Sequence, residues 1–243
     1  MRDRARFMAL GLSLALLLGS GLAGCVARAS RSASPPHTDP AAGQASGEAQ
    51  SPIDLPSEGQ AGQASHRVAI HYHETAEHII HREHTVEVDV DAGSTLEFDG
   101  RSYTLDQFHF HTPSEHLIGG RRYPLELHLV HLDEQRRVLV VGILFEAGEA
   151  SSFVERILRD TPADLGRVDR RDKLDLSELV ALERHFYLYR GSFTTPPYSE
   201  SVDWLVSKHH PEASAEQIVR LLVLEGGNAR PVQQRNARVV EDF

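Results

Sequence analysis

Two short runs carry the residue types that bind a metal ion: Gln107-Phe108-His109-Phe110-His111 and Glu126-Leu127-His128-Leu129-Val130-His131. On a β-strand alternate residues share a face. His109 and His111 therefore point the same way, while Phe108 and Phe110 point into apolar packing. His128 shares its face with Glu126 and Val130, and His131 takes the other. Placed as antiparallel neighbours, the two strands bring His109, His111 and His128 to one point. Three neutral imidazole nitrogens with one position open suit catalytic zinc, which keeps a water there. A closed structural site wants a fourth protein ligand, usually Cys. The single cysteine, Cys25, belongs to an export signal described below. Spacing alone is a weak signal, since His71-Tyr72-His73 has it too and carries no ligand role here.

Those strands need a sheet to hold them. From Ser65 onward short strand patterns dominate. Residues 67–72 and 85–90 alternate, and residues 103–111 and 125–131 read as strands. Residues 138–145 form an unbroken apolar run, which suits a strand buried on both faces. Ala92-Gly93-Ser94 and Asp99-Gly100 are turn signals. Residues 151–159 and 214–222 read as helices, the second with Ser214 as N-cap. The expected class is α+β and mostly β: one domain with a large, twisted, mainly antiparallel central sheet flanked by short helices. There is no internal repeat.

The chain has 243 residues, enough for one large domain with tails, and a formal charge of -10. That charge excludes a nucleic-acid-binding surface. Residues 1–24 read as a signal peptide, with Arg2, Arg4 and Arg6 before an apolar run over residues 7–18. The run is too short for a convincing membrane span. Leu22-Ala23-Gly24-Cys25 resembles a bacterial lipobox, which makes Cys25 the lipidated first residue of the mature chain and tethers the protein to a membrane. Residues 26–50 are Ala, Ser, Gly, Pro and Gln with scattered charge and no aromatic residue. Such a composition cannot build a core, so residues 25–50 read as lipidated Cys and flexible linker, with the folded domain over residues 51–243. Export with lipid attachment places the protein at the bacterial cell envelope.

The residues around the histidines narrow the reading further. Gln107-Phe-His-Phe-His111-Thr-Pro-Ser-Glu115-His116 followed by Glu126-Leu-His-Leu-Val-His131 strongly resembles the core signature of alpha-class carbonic anhydrases. Gln50-Ser-Pro-Ile-Asp-Leu55, Gly191-Ser-Phe-Thr-Thr-Pro-Pro197 with Ser199-Glu200, and Asn228-Ala-Arg-Pro-Val-Gln233 match the same family in the same order.

The resemblance implies a Zn2+ cofactor on His109, His111 and His128, and reversible hydration of carbon dioxide to bicarbonate and a proton by zinc-bound hydroxide. It assigns Thr194 to accept a hydrogen bond from that hydroxide and donate one to Glu115. Gln107, Glu126 and the main-chain carbonyl of Asn228 would accept hydrogen bonds from the outer sides of the ligand rings. Val130, Val140, Phe193, Val202 and Trp204 would form the apolar wall for carbon dioxide, with Thr195 at the mouth. His84 matches the proton shuttle, and an imidazole with pKa near 6.5 suits that at neutral pH.

Several positions depart from the family pattern. No His-Trp-x-Tyr or Gly-Pro-x-x-Trp precedes Gln50, so the tyrosine that joins the active-site water network is missing. Tyr198 stands where bacterial members often carry a disulfide Cys. His81-Arg82-Glu83 replaces Asn-Asn-Gly before the shuttle, and Phe193 replaces Leu. None of these touches a zinc ligand, Thr194 or Glu115, so the expectation is an active enzyme with lowered stability or slower proton transfer. The competing reading is a catalytically impaired zinc-binding lipoprotein. Its support is the His-rich stretch of His71, His73, His78, His81 and His84.

Overall fold

The computed structural model describes residues 47–58, 60–61, 65–176 and 185–243. The signal peptide, Cys25 and nearly all of the linker read from the sequence lie outside these residues. The strands in chain order are β1 (Asp54–Leu55), β2 (Gln60–Ala61), β3 (Val68–His71), β4 (Thr75–Arg82), β5 (Thr85–Val90), β6 (Thr95–Phe98), β7 (Arg101–His111) and β8 (Leu117–Ile118). There follow β9 (Arg121–Arg122), β10 (Leu125–Leu132), β11 (Val138–Ala147), β12 (Gly166–Leu174), β13 (Phe186–Gly191), β14 (Val202–Ser207), β15 (Glu212–Ala213) and β16 (Glu241–Asp242). Among the described residues the helices are α1 (Ser152–Asp160) and α2 (Ala215–Glu225).

Among the described residues the main sheet runs β12-β4-β5-β7-β10-β11-β14-β13-β16-β2, and β1, β8 and β9 form a small separate sheet. Pairing is mainly antiparallel. Parallel exceptions include β11 with β14 and β16 with β2. The strand that reads as an apolar run, β11, lies inside the sheet and is buried from Val138 to Phe145.

Alternation along β7 and β10 divides the core between the two faces of the sheet. One face carries Phe108, Phe110, Leu127 and Leu129, packed with Val86, Val88 and the buried side of α1, Phe153, Val154 and Ile157. The other carries Val130, Val140, Val202, Trp204 and Tyr189 together with Ile53 and Leu55. Each buried Phe contributes roughly 2–3 kcal/mol by leaving water. A one-residue slip of β7 would turn Phe108 and Phe110 out of their layer, so the apolar pattern fixes the face on which His109 and His111 stand.

Both helices begin as their caps dictate. The Ser151 side chain accepts from the Val154 N–H, and Ser214 forms a reciprocal capping box with Gln217. Helix α2 runs three residues past the expected end and stops at Gly226, which takes the left-handed conformation at φ 68°. Gln50 is buried and bonded into the domain, so packing reaches one residue upstream of the boundary read from composition.

Candidate metal centre

In the β7–β10 ladder His128 lies directly opposite His109, and Glu126 opposite His111. Directly opposed side chains in an antiparallel pair stand on the same face, a few ångströms apart. The rings of His109, His111 and His128 accordingly cluster, with centroid separations of 5.0, 5.3 and 4.6 Å. One nitrogen from each lies within 4.8 Å of the others, and all three residues are buried.

The outer nitrogens of His109 and His128 are held. Gln107 Oε1 lies 2.8 Å from His109 Nδ1, and Glu126 Oε1 lies 2.9 Å from His128 Nε2. This leaves Nε2 of His109 and Nδ1 of His128 for the shared point, with ring orientation fixed by the partner on the far side. Asn228 brackets the third ligand by its side chain. Its amide donates to the Phe110 carbonyl at 2.9 Å and accepts from the Thr112 N–H at 3.1 Å, on either side of His111.

Glu126 is fully buried, yet its two oxygens meet four donors. Oε1 faces His128 and also His116 Nδ1 at 2.7 Å, and Oε2 accepts the Glu115 and His116 main-chain N–H groups at 2.8 and 2.9 Å. Burial alone would raise this carboxyl, but the His116 and His128 imidazoles overcome it and hold the group well below the usual carboxylate range. His116, Glu126 and His128 also lie close enough to share an ion. His116 and Glu126 are bonded to each other, however, so this group reads as the support behind His128.

Glu115 sits beside the cluster, its Oε2 3.5 Å from His111 Nε2 and 3.9 Å from His128 Nδ1. Burial pushes its carboxyl up to about 8, opposed by hydrogen bonds from the Thr194 hydroxyl and the Arg230 N–H. A dication at the three imidazoles would add a strong opposing pull toward the ionised form. A buried set of three imidazoles, with the outer nitrogens of His109 and His128 oriented and an acidic neighbour, fits zinc with an open position.

The family model described as eukaryotic-type carbonic anhydrase matches residues 35–243. The chain belongs to the carbonic anhydrase family. A carbonic anhydrase of Neisseria gonorrhoeae is 40% identical over 198 residues, covering 80% of this chain and 77% of that protein. One from Pectobacterium carotovorum is 36% identical, covering 80% of each. Among solved structures, the alpha-carbonic anhydrase from Thermovibrio ammonificans, in complex with the inhibitor sulfanilamide, superposes with a TM-score of 0.76. It is 37% identical, and the match covers 80% of this chain and 87% of that one.

The other residues assigned through carbonic anhydrase resemblance are placed as follows. Val130, Val140, Val202 and Trp204 form one cluster with Phe193 packed against it. Its Trp204 ring stands 4.8 Å from that of His128, so this apolar cluster abuts the imidazoles. Thr194 is buried, and Thr195 is half-buried with its carbonyl accepting from the Tyr198 N–H. His84 is exposed in the turn between β4 and β5, its carbonyl accepting from the Asn228 amide at 3.0 Å.

Two residues without an assignment from the sequence belong to the site. His116 links Glu126 to the Tyr189 hydroxyl, at 2.6 Å. Its place next to Glu115 in the sequence was the available signal. Arg230 gives its main-chain N–H to Glu115 Oε1 at 2.8 Å, a contact across 115 residues that no local pattern announces. The His-rich stretch goes elsewhere. His78 is engaged by Asp169 and Asp91, and His81 by the carbonyls of Pro162 and Leu224. Among the described residues neither they nor His71, His73 and His84 join a group able to share a metal ion.

Proposed function

We propose that this chain catalyses the reversible hydration of carbon dioxide to bicarbonate and a proton, with zinc held by His109, His111 and His128. The observation that carries this reading is the buried three-imidazole cluster with its outer nitrogens on Gln107 and Glu126, set beside the Glu115–Thr194 pair. When bound, zinc supplies a Lewis acid and a water whose pKa is about 7, a value known for carbonic anhydrases as an enzyme class.

The chain's own residues do the rest. Glu115 accepts a hydrogen bond from the Thr194 hydroxyl, which leaves Thr194 Oγ only its acceptor capacity toward the cavity. That favours a ligand bringing a proton and disfavours an anion without one. The wall of Val130, Val140, Phe193, Val202 and Trp204 receives apolar carbon dioxide and keeps water away from it. Thr195 lines the mouth. His84, exposed to solvent, carries the released proton outward. No His-Trp-x-Tyr or Gly-Pro-x-x-Trp motif stands upstream of Gln50 in the sequence. In this reading proton transfer limits turnover, which then rises with buffer concentration.

The lipobox-like Leu22-Ala23-Gly24-Cys25 supports a protein exported and held at the cell envelope by lipid on Cys25. Fatty-acid labelling in a bacterial host tests this: label should be lost in Cys25→Ser.

Stopped-flow hydration of carbon dioxide by the purified chain, with zinc assayed on the same sample, tests the activity. One zinc per chain and turnover blocked by an aromatic sulfonamide are expected. Bound zinc without turnover would favour a metal-binding protein that has given up the chemistry.

A further inference from the structure

Arg230 is buried, and its guanidinium is held by Tyr198, Ser51 and Gln50. Its guanidinium lies 3.6 Å from the centroid of the Tyr198 ring, a stacked cation–π geometry. Nη1 donates to the Ser51 carbonyl at 2.5 Å, and Nη2 to Gln50 Oε1 at 3.0 Å. The Gln50 amide then closes the ring of contacts, donating to the Tyr198 carbonyl at 3.2 Å and to Glu200 Oε1 at 2.6 Å.

Tyr198 keeps φ at 61°. A bulky residue rarely stays in that region unless its surroundings hold it there. Its ring is buried under Arg230, and its N–H donates to the Thr195 carbonyl at 2.9 Å. The same loop contains Thr194.

Both ends of the Glu115–Thr194 contact therefore trace back to one set of side chains. Thr194 sits in the loop that Tyr198 closes. Glu115 Oε1 is fixed by the main-chain N–H of Arg230, whose position its own guanidinium sets. We infer that Gln50, Tyr198 and Arg230 form a clasp that positions the Glu115 carboxylate against the Thr194 hydroxyl. They are positioning residues for hydration, acting through the Glu115–Thr194 pair without touching substrate. The inference rests on the proposed use of that pair in the hydration reaction.

A clasp that only joined distant parts of the chain would change stability alone. One that positions the pair must also change how the site ranks its ligands. Release of Glu115 frees the Thr194 proton, which can then be offered to an anion that brings none.

The test uses the full chain loaded with zinc and compares the parent with Tyr198→Ala, Tyr198→Phe and Gln50→Ala. Zinc content, kcat, KM, thermal midpoint and dissociation constants for azide and sulfanilamide are measured on each. Tyr198→Ala and Gln50→Ala should keep zinc and lower kcat about 10-fold with little change in KM, as expected for a small misplacement of a catalytic pair. Azide should gain affinity relative to sulfanilamide in both. Tyr198→Phe keeps the stacked ring and should restore the parent values. A lower thermal midpoint in Tyr198→Ala, with kcat and the azide-to-sulfanilamide ratio unchanged, would overturn the inference. If Tyr198→Ala does not fold, Gln50→Ala decides by the same readouts. An inactive zinc-loaded parent would sink the hydration reading, and the ligand ratio would still decide the clasp.

Discussion

Glu126 and His128 stand two residues apart on one strand, with Glu126 Oε1 2.9 Å from His128 Nε2. The other carboxylate oxygen is taken by the N–H groups of Glu115 and His116. One buried charge thus orients the ring of His128 and anchors the loop that carries Glu115. Glu126→Gln replaces one acceptor oxygen with an amide that faces donors. Zinc affinity should fall by about 10- to 100-fold, the usual cost of losing a group that orients a ligand. Competition with a chelator of known affinity checks this, and an unchanged affinity would detach Glu126 from metal binding.

His84 is exposed and lies outside the buried imidazole cluster. His84→Ala should leave zinc content at the parent level and slow turnover by about 100-fold, the low end of what a positioned proton-transfer group supplies. Added imidazole should restore part of the rate. Failure of the rescue would remove the shuttle assignment.

Two histidines give stability opposite dependences on pH. Burial pushes His131 down to about 4. The unfolded chain, with an ordinary value near 6.5, binds a proton that the folded chain refuses, so stability falls as pH drops from about 6.5 towards 4. Burial also lowers His66, but hydrogen bonds to Asp99 and Glu241 outweigh it and leave the group raised. Its contribution is complete below about 6.5 and is lost as pH rises through the raised value. In thermal melts His66→Asn should lie furthest below the parent near pH 6 and approach it towards pH 9. A deficit independent of pH would show that His66 acts by packing alone.

Gly191 ends β13 where the chain runs against its neighbours. A Cβ there would fall on Ser51 Oγ and within 2.9 Å of the Tyr189 ring and 3.1 Å of the Trp204 ring. Gly191→Ala should cost about 1–3 kcal/mol, as overpacking of a closed core does. Urea unfolding measures it, and a loss under about 0.5 kcal/mol, the range of neutral surface substitutions, would contradict the packing argument.

The clustering of the imidazoles was legible because strand alternation is a local rule: Phe108 and Phe110 declare one face, and His109 and His111 follow on the other. Helix α2 was legible from its N-cap Ser214 for the same reason. Strand β4 was hidden. It alternates in burial, with Thr75, Glu77, Ile79 and His81 turned inward, but three of those four are polar. Arg156 pairs with Glu77, and the Pro162 carbonyl lies 2.9 Å from His81 Nδ1. A hydrophobic pattern cannot show a strand whose inner face is satisfied by distant partners. The hydrogen bond from Arg230 to Glu115 was hidden likewise, since it depends on how two loops meet. Resemblance supplied Glu115 and Thr194, but not what holds them.

The three clustered imidazoles span residues 109–128 and occupy adjacent strands. The contacts from Arg230 to Ser51 and Gln50 close loops of 179 and 180 residues. Closing a long loop costs more chain entropy than closing a short one, and contacts between distant segments form slowly. During refolding, therefore, the pocket for the ion should be complete before the Glu115–Thr194 pair is locked. Metal uptake followed in time should run ahead of the return of sulfanilamide over azide preference, so that a young molecule carries its ion before it can discriminate among what binds there.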